Sequence, residues 1–435
     1  MSSTGLASCH ECDLLQRPSS PPPGGTARCR RCNAELYRNL PDSMDRSLAY
    51  ALAALVFFAI ANAFPILGLK VSGNIVQTTL FGAVRLLYLD GMWPIAALVL
   101  ITTQLMPLVR ILAVLYLLLP LRVRRVPPRP HLAFRILQSS RPWSMTEVLT
   151  LGILVALVKL VHLASVVPGI GLWTLGAAMV FIVAMALAFD PDDAWARIAA
   201  MRQAGRQDRP ASGAGLVAAA APAGETGVAA PTAAAAGLFV CHECGLLSRP
   251  SPGAHDGDCP RCGARVHFRK PASIARTWAL LLAAIVLYVP ANVLPVMYTS
   301  SLFGAQNDTI MSGVVYLWVS GSWPLAIIVF IASIAVPMLK ILALGFLAVT
   351  VQFRWWRMPL RCTRIYRVLE VVGPWSMLDI YVIAILVALV QFSALATIKA
   401  GPAAIAFGAV VVLTMLAAHA FDPRLLWDRT ENVHA

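Results

Sequence analysis

The sequence contains one unit twice, at an offset of 230 to 232 residues. Each copy begins with two Cys-x-x-Cys pairs and continues through four long apolar stretches. Because the copies can be compared position by position, each serves as an internal control for the motifs of the other. The pattern predicts a small metal-binding segment followed by a membrane domain, in tandem.

The apolar stretches predict eight transmembrane helices, four in each copy. Only 13% of the 435 residues are charged, whereas soluble globular proteins carry about 25% charged residues. Each stretch is close to or above the roughly 20 residues with which a helix crosses the membrane, and none alternates as barrel strands do. We therefore predict an all-α integral membrane fold with two tandem four-helix units. The predicted spans are about 48–69, 94–119, 147–167, 170–189, 277–297, 324–349, 378–398 and 402–421.

The cysteines of each copy form two Cys-x-x-Cys pairs, separated by 16 residues in the first copy and 14 in the second. Two such turns, joined by a short hairpin, supply the four sulfurs of a tetrahedral site. We predict two structural zinc ions, with iron as the lesser alternative, and no enzymatic site. A pair of disulfides is the other alternative, which a reducing cytoplasm disfavours. The predicted ligands are Cys9, Cys12, Cys29, Cys32, Cys241, Cys244, Cys259 and Cys262.

These features divide the chain into six segments. The stretch between the copies is rich in Ala, Gly and Pro and lacks apolar periodicity, so we expect it to be flexible. Because each copy has an even number of predicted spans, both copies share one orientation in the membrane. The predicted segments are zinc ribbon 1 (1–45), transmembrane unit 1 (46–191), the linker (192–238), zinc ribbon 2 (239–270), transmembrane unit 2 (271–423) and a tail (424–435).

Arginine-rich loops predict the orientation. The loop 120–141 and its counterpart in the second copy are rich in arginine, whereas the opposite loops of the first copy hold only Lys70 and Arg85. By the positive-inside rule, the arginine loops, both cysteine segments and both termini face the cytoplasm. The first 40 residues lack an apolar signal core, so we expect the first helix to direct insertion. The net charge of +14 then reflects topology and not a nucleic-acid partner, since no recognition motif accompanies it.

One motif places an acid near the predicted cytoplasmic end of each unit. Pro-Trp-Ser-Met-Thr-Glu147 and Pro-Trp-Ser-Met-Leu-Asp379 correspond, and the serine and acid have capping-box spacing. Arg110 and Lys340 also correspond, on the second helix of each unit. A basic residue at that depth either extends to the interface or binds an acid. We predict the pairs Arg110–Glu147 and Lys340–Asp379, with extension to the interface as the alternative.

A second pair of charges occurs in the first copy alone. Asp90 and Lys159 stand where the second copy has Ser320 and Gln391. A lone lysine in hydrocarbon costs at least ~2.5–3.5 kcal/mol, so the joint replacement suggests that Asp90 and Lys159 form a pair. The pair predicts either a proton or headgroup site, or a fixed contact between helices. The first copy is then the better candidate for an active half.

Prolines recur inside or near the predicted helices. Asn62-Ala-Phe-Pro65 corresponds to Asn292-Val-Leu-Pro295, and the asparagines can satisfy backbone groups that the prolines leave open. A simple end of the helix is the alternative. Pro107 and Pro337 lie well inside the second helix of each unit, where a kink is expected.

The duplicated motifs together resemble the paraquat-inducible protein A family of Gram-negative inner membranes. After each cysteine segment come Ala-Asn-x-x-Pro, Gly-x-Trp-Pro, Pro-Trp-Ser-Met-x-acid and Phe-Asp-Pro, in this order. The family includes the A component of the lipophilic envelope-spanning tunnel system. The resemblance implies an inner-membrane subunit that moves phospholipid into or out of a tunnel, which is formed by a periplasmic partner built of MCE (mammalian cell entry) domains. It also implies zinc ribbons on the cytoplasmic side.

Three functions are compatible with these features. The leading hypothesis is a non-enzymatic lipid transporter subunit, in which polar groups bind a headgroup or relay protons. No Walker-type loop is present, so a proton gradient or downhill lipid flow is the available drive. The second is a membrane-tethered zinc-ribbon sensor or scaffold that binds a cytoplasmic protein. The third is a membrane redox protein, which is disfavoured because His162 and His419 have no counterparts with which to hold a haem.

Overall fold

The computed structural model is mostly helical. Residues 43–204 form the first half and residues 273–428 the second half. The first seven helices of the first half recur in the same order in the second, in which a 3₁₀ turn, Pro423–Leu426, replaces the eighth. The structure describes residues 6–17, 21–71, 74–140, 142–144, 146–161, 165–204, 232–249, 256–301, 304–321, 323–353, 358–389, 391–392 and 396–428.

Each half combines long apolar helices with short ones. The helices of the first half are α1 (Ser43–Ala63), α2 (Leu80–Leu89), α3 (Trp93–Leu100), α4 (Met106–Arg122), α5 (Pro130–Ser140), α6 (Thr146–Val161), α7 (Ile170–Ala188) and α8 (Pro191–Ala204). Those of the second half are α9 (Ser273–Val293), α10 (Ile310–Val319), α11 (Trp323–Phe330), α12 (Val336–Gln352), α13 (Pro359–Val372), α14 (Leu378–Leu389) and α15 (Pro402–Ala420). Helix α8 occupies the beginning of the segment that the sequence predicts to be a flexible linker, and residues 205–231 lie outside the described part.

The strands are short and pair antiparallel. They are β1 (Ala7–Ser8), β2 (Leu15–Gln16), β3 (Thr26–Arg28), β4 (Glu35–Arg38), β5 (Leu67–Val71), β6 (Asn74–Thr78), β7 (Ser165–Pro168), β8 (Phe239–Val240), β9 (Leu247–Ser248), β10 (Asp256–Asp258), β11 (Arg265–His267), β12 (Met297–Ser301), β13 (Gly304–Asp308), β14 (Gln391–Phe392) and β15 (Ala396–Ala400). Strands β1–β4 form the first knuckle (residues 7–38), and β8–β11 form the second knuckle (residues 239–267).

Within the described residues, seven helical segments are long and apolar enough to cross a membrane. They are Ser43–Ala63, Trp93–Arg122, Ile170–Ala188, Ser273–Val293, Ala326–Gln352, Pro359–Ile385 and Pro402–Ala420. The predicted span 147–167 corresponds to α6, which has 16 residues. Eight full-length spans are therefore not confirmed, although a membrane domain of long apolar helices is.

The predicted windows 147–167 and 378–398 are wrong at their ends, where the chain leaves the helix and forms strands. Strand β7 follows α6 and pairs with β5, and β15 follows α14 and pairs with β12. The resulting sheets have the orders β6-β5-β7 and β13-β12-β15-β14. The ladder bonds with a distant hairpin hold these apolar residues in strands, and an apolar run alone does not distinguish the two structures.

Each sheet anchors the beginning of the last long helix of its half. The amide of Gly169, just before α7, donates to the Ile66 carbonyl at 2.9 Å, and that of Gly401, before α15, donates to the Val296 carbonyl at 2.7 Å. A Cβ atom on Gly169 would lie 2.2 Å from the backbone oxygen of Pro65. The chain therefore requires glycine at this close approach of two backbones.

A π-helical turn interrupts the second long helix of each half. It covers Ile101–Leu105 between α3 and α4, and Ile331–Ala335 between α11 and α12. Pro107 and Pro337 follow at once, at the positions where the sequence predicts a kink. Since a proline ring clashes with the carbonyl one turn back, the wider turn relieves that clash.

The two halves share one apolar core, in which α6 of the first half packs against α14 of the second. Leu149 and Ile153 of α6 are buried in it together with Tyr381 of α14. A Cβ atom on Gly152 would lie 3.1 Å from the Tyr381 Cβ atom, so this glycine permits the close packing of α6 and α14. The halves are therefore parts of one packed structure.

Candidate functional site

Each Cys-x-x-Cys pair lies on a tight turn at the tip of a short hairpin. The residue after the second cysteine has left-handed backbone geometry, with φ of 60° at Asp13, 61° at Asn33, 65° at Gly245 and 67° at Gly263. Glycine adopts this conformation without steric cost, and Asp and Asn tolerate it better than other residues. The turn chemistry therefore explains why these residue types follow each pair.

The eight paired cysteines are buried and are not joined in disulfides. In each quartet the four sulfur atoms lie within 4.8 Å of one another. The pairs Cys9–Cys32 and Cys12–Cys29 have sulfur separations of 3.5 Å, as do the equivalent pairs of the second knuckle. A disulfide needs about 2.05 Å, whereas a tetrahedral ion with metal–sulfur bonds of about 2.3 Å sets its ligands about 3.8 Å apart. Each quartet therefore fits a single four-coordinate metal ion.

The first knuckle contacts the second half of the chain. Arg367, on α13, donates from Nε to both carboxylate oxygens of Glu11 at 2.8 and 2.9 Å. Its Nη2 atom also donates to the Cys32 carbonyl at 2.8 Å. The Arg31 guanidinium lies 4.5 Å from the ring centroid of Trp427. Charged and aromatic contacts thus join a metal-ligand turn to the opposite half.

The second knuckle contacts the first half, although through different hydrogen bonds. Gln138, at the end of α5, donates to the His242 carbonyl at 2.9 Å. The Arg261 guanidinium lies 5.7 Å from the ring of Trp195, which is on α8. Trp195 and Trp427 are 232 residues apart, as are Arg135 and Arg367. Comparison of the copies could have identified these docking residues, which the sequence analysis missed.

The two knuckles also contact each other. Leu15 and Leu247 share a small apolar cluster. Leu14 forms an isolated antiparallel bridge with Thr232, in the segment just before the second knuckle. Arg269 lies 2.9 Å from the buried Asp13 carboxylate and also binds Asp428. The knuckles therefore form one connected layer at one end of the membrane helices.

Lys340 is buried inside the second half. Its Nζ atom donates to the Gly373 carbonyl and, at 2.7 Å, to the Ser376 hydroxyl. The hydroxyl in turn donates to the Gly373 carbonyl at 3.0 Å. These acceptors lie on a 3₁₀ turn between α13 and α14, Gly373–Met377. Ser376 therefore binds a buried lysine, and its capping box with Asp379 stays a prediction.

The corresponding charged residues of the first half are more exposed than those of the second half. Arg110 is half-buried on α4, and Glu147 is exposed on the first turn of α6. The Ser144 hydroxyl is buried and has no hydrogen-bond partner within the described part of the chain, so it caps no helix there. Asp379 is half-buried on the first turn of α14. The ion pairs Arg110–Glu147 and Lys340–Asp379 stay predictions.

Other predicted polar residues lie near helix ends. Asn62 and Asn292 donate from Nδ2 to the carbonyls four residues earlier, those of Phe58 and Tyr288, at 2.9 and 2.8 Å. They strengthen the last turns of α1 and α9, which end shortly before the prolines. Asp90 is the half-buried residue that ends α2. The side chain of Lys159 and its counterpart Gln391 lie outside what the structure describes, so the proposed pair with Asp90 stays a prediction.

A hydrogen bond that the sequence did not predict joins the two halves. The Tyr381 hydroxyl on α14 donates to Thr102 Oγ1 at 3.0 Å, and both residues are fully buried. Thr102 lies in the first π-helical turn and donates to the Leu98 carbonyl at 2.8 Å. Leu149 and Ala332 occupy the corresponding positions, and their apolar side chains cannot form an equivalent hydrogen bond.

The two Phe-Asp-Pro motifs have opposite electrostatics. Although burial opposes its charged form, the pKa of Asp422 is lowered because the Arg424 guanidinium and backbone amides stabilise the carboxylate. Arg424 Nε lies 3.1 Å from Asp422 Oδ1. In the first half, burial raises the pKa of Asp190, and the neighbouring carboxylates raise it further. The reason lies in the sequence, because Asp192 stands where the second half has Arg424.

Comparison with known proteins agrees with this arrangement. A family model described as paraquat-inducible protein A matches residues 44–199 and again residues 274–431. The chain is 34% identical over 428 residues to intermembrane transport protein PqiA of Escherichia coli K12, which covers 97% of this chain and 95% of that protein. It is 30% identical over 442 residues to lipophilic envelope-spanning tunnel protein A of the same organism, covering 98% and 92%.

A third relative, a probable intermembrane transport protein of Haemophilus influenzae, is 27% identical over 432 residues and covers 97% of this chain and 95% of its own length. No solved structure matches the chain. The family model and the relatives cover the membrane helices of both halves, and all three relatives are named for transport or for an envelope-spanning tunnel. The chain is a multi-pass membrane protein that belongs to the paraquat-inducible protein A family.

Proposed function

We propose that this protein is an inner-membrane subunit that moves phospholipid into or out of a tunnel formed by a periplasmic MCE-domain partner. The observation that carries the proposal is the burial of Lys340 inside an apolar membrane helix, with only 4% of its surface exposed. A lysine in hydrocarbon is costly and generally marks a path for a substrate or ion. A phosphate headgroup is the anion that its ammonium would bind.

The proposal divides the polar groups between the two halves. In the second half, Lys340 binds the headgroup, and Asp379 lies one turn from Ser376. In the first half, the corresponding candidates are Arg110 and Glu147, together with the Asp90 and Lys159 pair. Asn62 and Asn292 stabilise the helix ends. Since the sequence has no nucleotide-binding loop, a proton gradient or downhill lipid flow drives transport.

We also propose that the two halves are tandem copies in one orientation and that each knuckle is a zinc ribbon. All-thiolate tetrahedral sites are typical of structural zinc, and iron is the alternative metal. The arginine loops support a cytoplasmic location for both knuckles and both termini. Because each knuckle is docked on the opposite half, a structural role within the protein is favoured over a free scaffold for another protein.

The decisive experiment is lipid transfer by the purified full chain in vesicles with a fluorescent phospholipid donor. Lys340→Met should abolish transfer while insertion and metal content stay normal, because the methionine keeps the volume and removes the ammonium. Lys340→Arg is the matched control and should keep part of the activity, since the guanidinium preserves the charge. Undiminished transfer by Lys340→Met would contradict the proposal.

Lys159→Met tests whether the first half contributes as well. The asymmetry between Asp90 and Lys159 in one copy and Ser320 and Gln391 in the other predicts that this variant also abolishes transfer. It should still insert and bind metal. Normal transfer by Lys159→Met would assign Lys159 to packing and leave the second half as the active one.

A further inference from the structure

The contact between the first knuckle and α13 is a built interface. Arg367 spans two acceptors on different metal-ligand turns, because Glu11 lies between Cys9 and Cys12 whereas Cys32 belongs to the other pair. Glu11 is buried, so water competes little for these charge-assisted bonds. The two acceptors stay at a fixed separation only while the four sulfurs are held together.

A second contact fixes the same helix. The Trp427 indole Nε1 donates to the Thr363 hydroxyl, one turn before Arg367 on α13, at 3.1 Å. The other face of this indole is covered by Arg31 of the first knuckle. Helix α13 is therefore attached to the first knuckle directly at Arg367 and, one turn earlier, by way of Trp427.

Helix α13 leads directly to the Lys340 site. It ends at Val372, and the next residues form the 3₁₀ turn whose Gly373 carbonyl and Ser376 hydroxyl bind Lys340. Arg367 precedes Gly373 by six residues, or about 9 Å along a helix. A displacement of α13 therefore moves both acceptors of the buried lysine.

The second knuckle lacks the equivalent closed contact. Arg135 is exposed on α5 and is the cation that faces Glu243. The Glu243 Oε2 atom is nevertheless buried without a hydrogen-bond partner, and so is Trp195 Nε1, as far as the described residues extend. The same residue types are present on both sides, but among the described residues the bidentate contact between a knuckle glutamate and an arginine of its helix is found only for the first knuckle.

We propose that the metal-loaded first knuckle clamps α13 and thereby positions the Lys340 site, with Glu11 and Arg367 as the positioning residues. The inference rests on the proposed function only for the role of Lys340 in transport. The clamp itself is a property of the folded chain. Through this clamp, the metal ion of the first knuckle affects the geometry of the Lys340 site in the second half.

The test is hydrogen–deuterium exchange of the full chain in lipid nanodiscs, comparing Arg367→Gln with its counterpart Arg135→Gln. Arg367→Gln should accelerate exchange over residues 359–377 by about tenfold, since it removes buried charge-assisted bonds. Arg135→Gln should leave residues 127–144 unchanged. Arg367→Lys should recover part of the protection, because lysine can bind Glu11 but lacks the guanidinium fork. Metal content should be normal in all three variants, since none removes a ligand.

Unchanged exchange over residues 359–377 in Arg367→Gln would overturn the clamp, as would equal acceleration by Arg135→Gln in its own segment. If Arg367→Gln does not accumulate, Glu11→Gln removes the same contact from the other side and is judged by the same outcomes. Removal of the first metal by Cys29→Ser should also accelerate exchange over residues 359–377, whereas Cys259→Ser should not. Faster exchange with undiminished lipid transfer would uphold the clamp and contradict the proposed role of Lys340.

Discussion

The two halves of the molecule share their order of helices but differ in the polar groups that they bury. Helices α1 and α9 both have 21 residues, and both π-helical turns have five. The second half nevertheless buries Lys340 against Ser376, whereas Ser144 in the first half has no partner in the described region. The same backbone arrangement thus holds different buried polar groups in the two halves. We infer from this difference that the halves have different functional roles.

The knuckles extend this comparison, because each contacts the half to which it does not belong in sequence, and the second knuckle also contacts its own half through His242 and Arg424. Glu11 binds α13 of the second half, and the carbonyl of His242 accepts from α5 of the first. A change in one half is therefore transmitted to the other through the knuckle layer as well as through the shared core. The predictions below test whether the halves respond alike or differently.

Loss of one metal site should have the largest effect. Cys29→Ser and Cys259→Ser should each remove one metal ion per chain, which elemental analysis of the purified protein measures. Structural zinc contributes about 10–16 kcal/mol to the folding of small zinc domains, so the affected knuckle should unfold. Retention of the full metal content in either variant would contradict the assignment of that quartet.

Substitution of the glycine that precedes α7 or α15 should destabilise the protein to the same extent in both halves. A Cβ atom at Gly169 or Gly401 would lie 2.2 Å from a proline carbonyl oxygen. Either alanine variant should destabilise the protein by about 3 kcal/mol, since the backbone must move to relieve the overlap. Thermal unfolding in detergent measures the effect. Gly176→Ala, inside α7 with open space around the glycine, is the control and should not destabilise.

The metal sites and the long helices could be predicted from the sequence. The cysteine quartets were evident in the sequence because the spacing of Cys-x-x-Cys pairs is itself the signal for a tetrahedral site. The long helices were evident for a similar reason, since an apolar run of sufficient length needs no partner to be recognised. Both patterns are local in the chain.

The missed features all depend on contacts between distant residues. Strands β7 and β15 form because hairpins about 100 residues away in the sequence pair with them. The Tyr381–Thr102 bond joins residues 279 positions apart. The docking of each knuckle on the opposite half also cannot be predicted from the spacing of residues within one copy. Only the recurrence of Arg135 with Arg367, and of Trp195 with Trp427, gave a signal in the sequence that these positions matter.

The two Phe-Asp-Pro motifs should respond oppositely to neutralisation. Asp422 has a lowered pKa, so its carboxylate stabilises the fold above the unfolded pKa of about 3.8, and this contribution is lost as the pH falls through the lower folded value. Asp190 has a raised pKa, so its contribution is present below about pH 3.8 and is lost as the pH rises through the folded value.

At pH 7, Asp422→Asn should therefore destabilise the protein by about 2 kcal/mol, because Arg424 loses its buried partner. Asp190→Asn should raise the unfolding temperature slightly. Thermal unfolding between pH 3 and pH 7 tests both, and the deficit of Asp422→Asn should shrink towards the acidic end. Equal responses of the two variants would show that Asp192 and Arg424 do not set the difference.

Removal of the hydrogen bond between Tyr381 and Thr102 should change stability least, and this bond has no counterpart between the equivalent positions of the two halves. Tyr381→Phe leaves Thr102 with its bond to the Leu98 carbonyl, so it should cost about 1 kcal/mol. Thr102→Val should cost more, because the buried Tyr381 hydroxyl then keeps only the Met377 sulfur at 3.7 Å. The double variant should cost about 1 kcal/mol less than the sum of the single ones, measured by unfolding in detergent. Additive costs would mean that the halves are coupled by their apolar core alone. A coupling of the expected size would identify a polar contact between the halves that the apolar side chains at the corresponding positions, Leu149 and Ala332, cannot form.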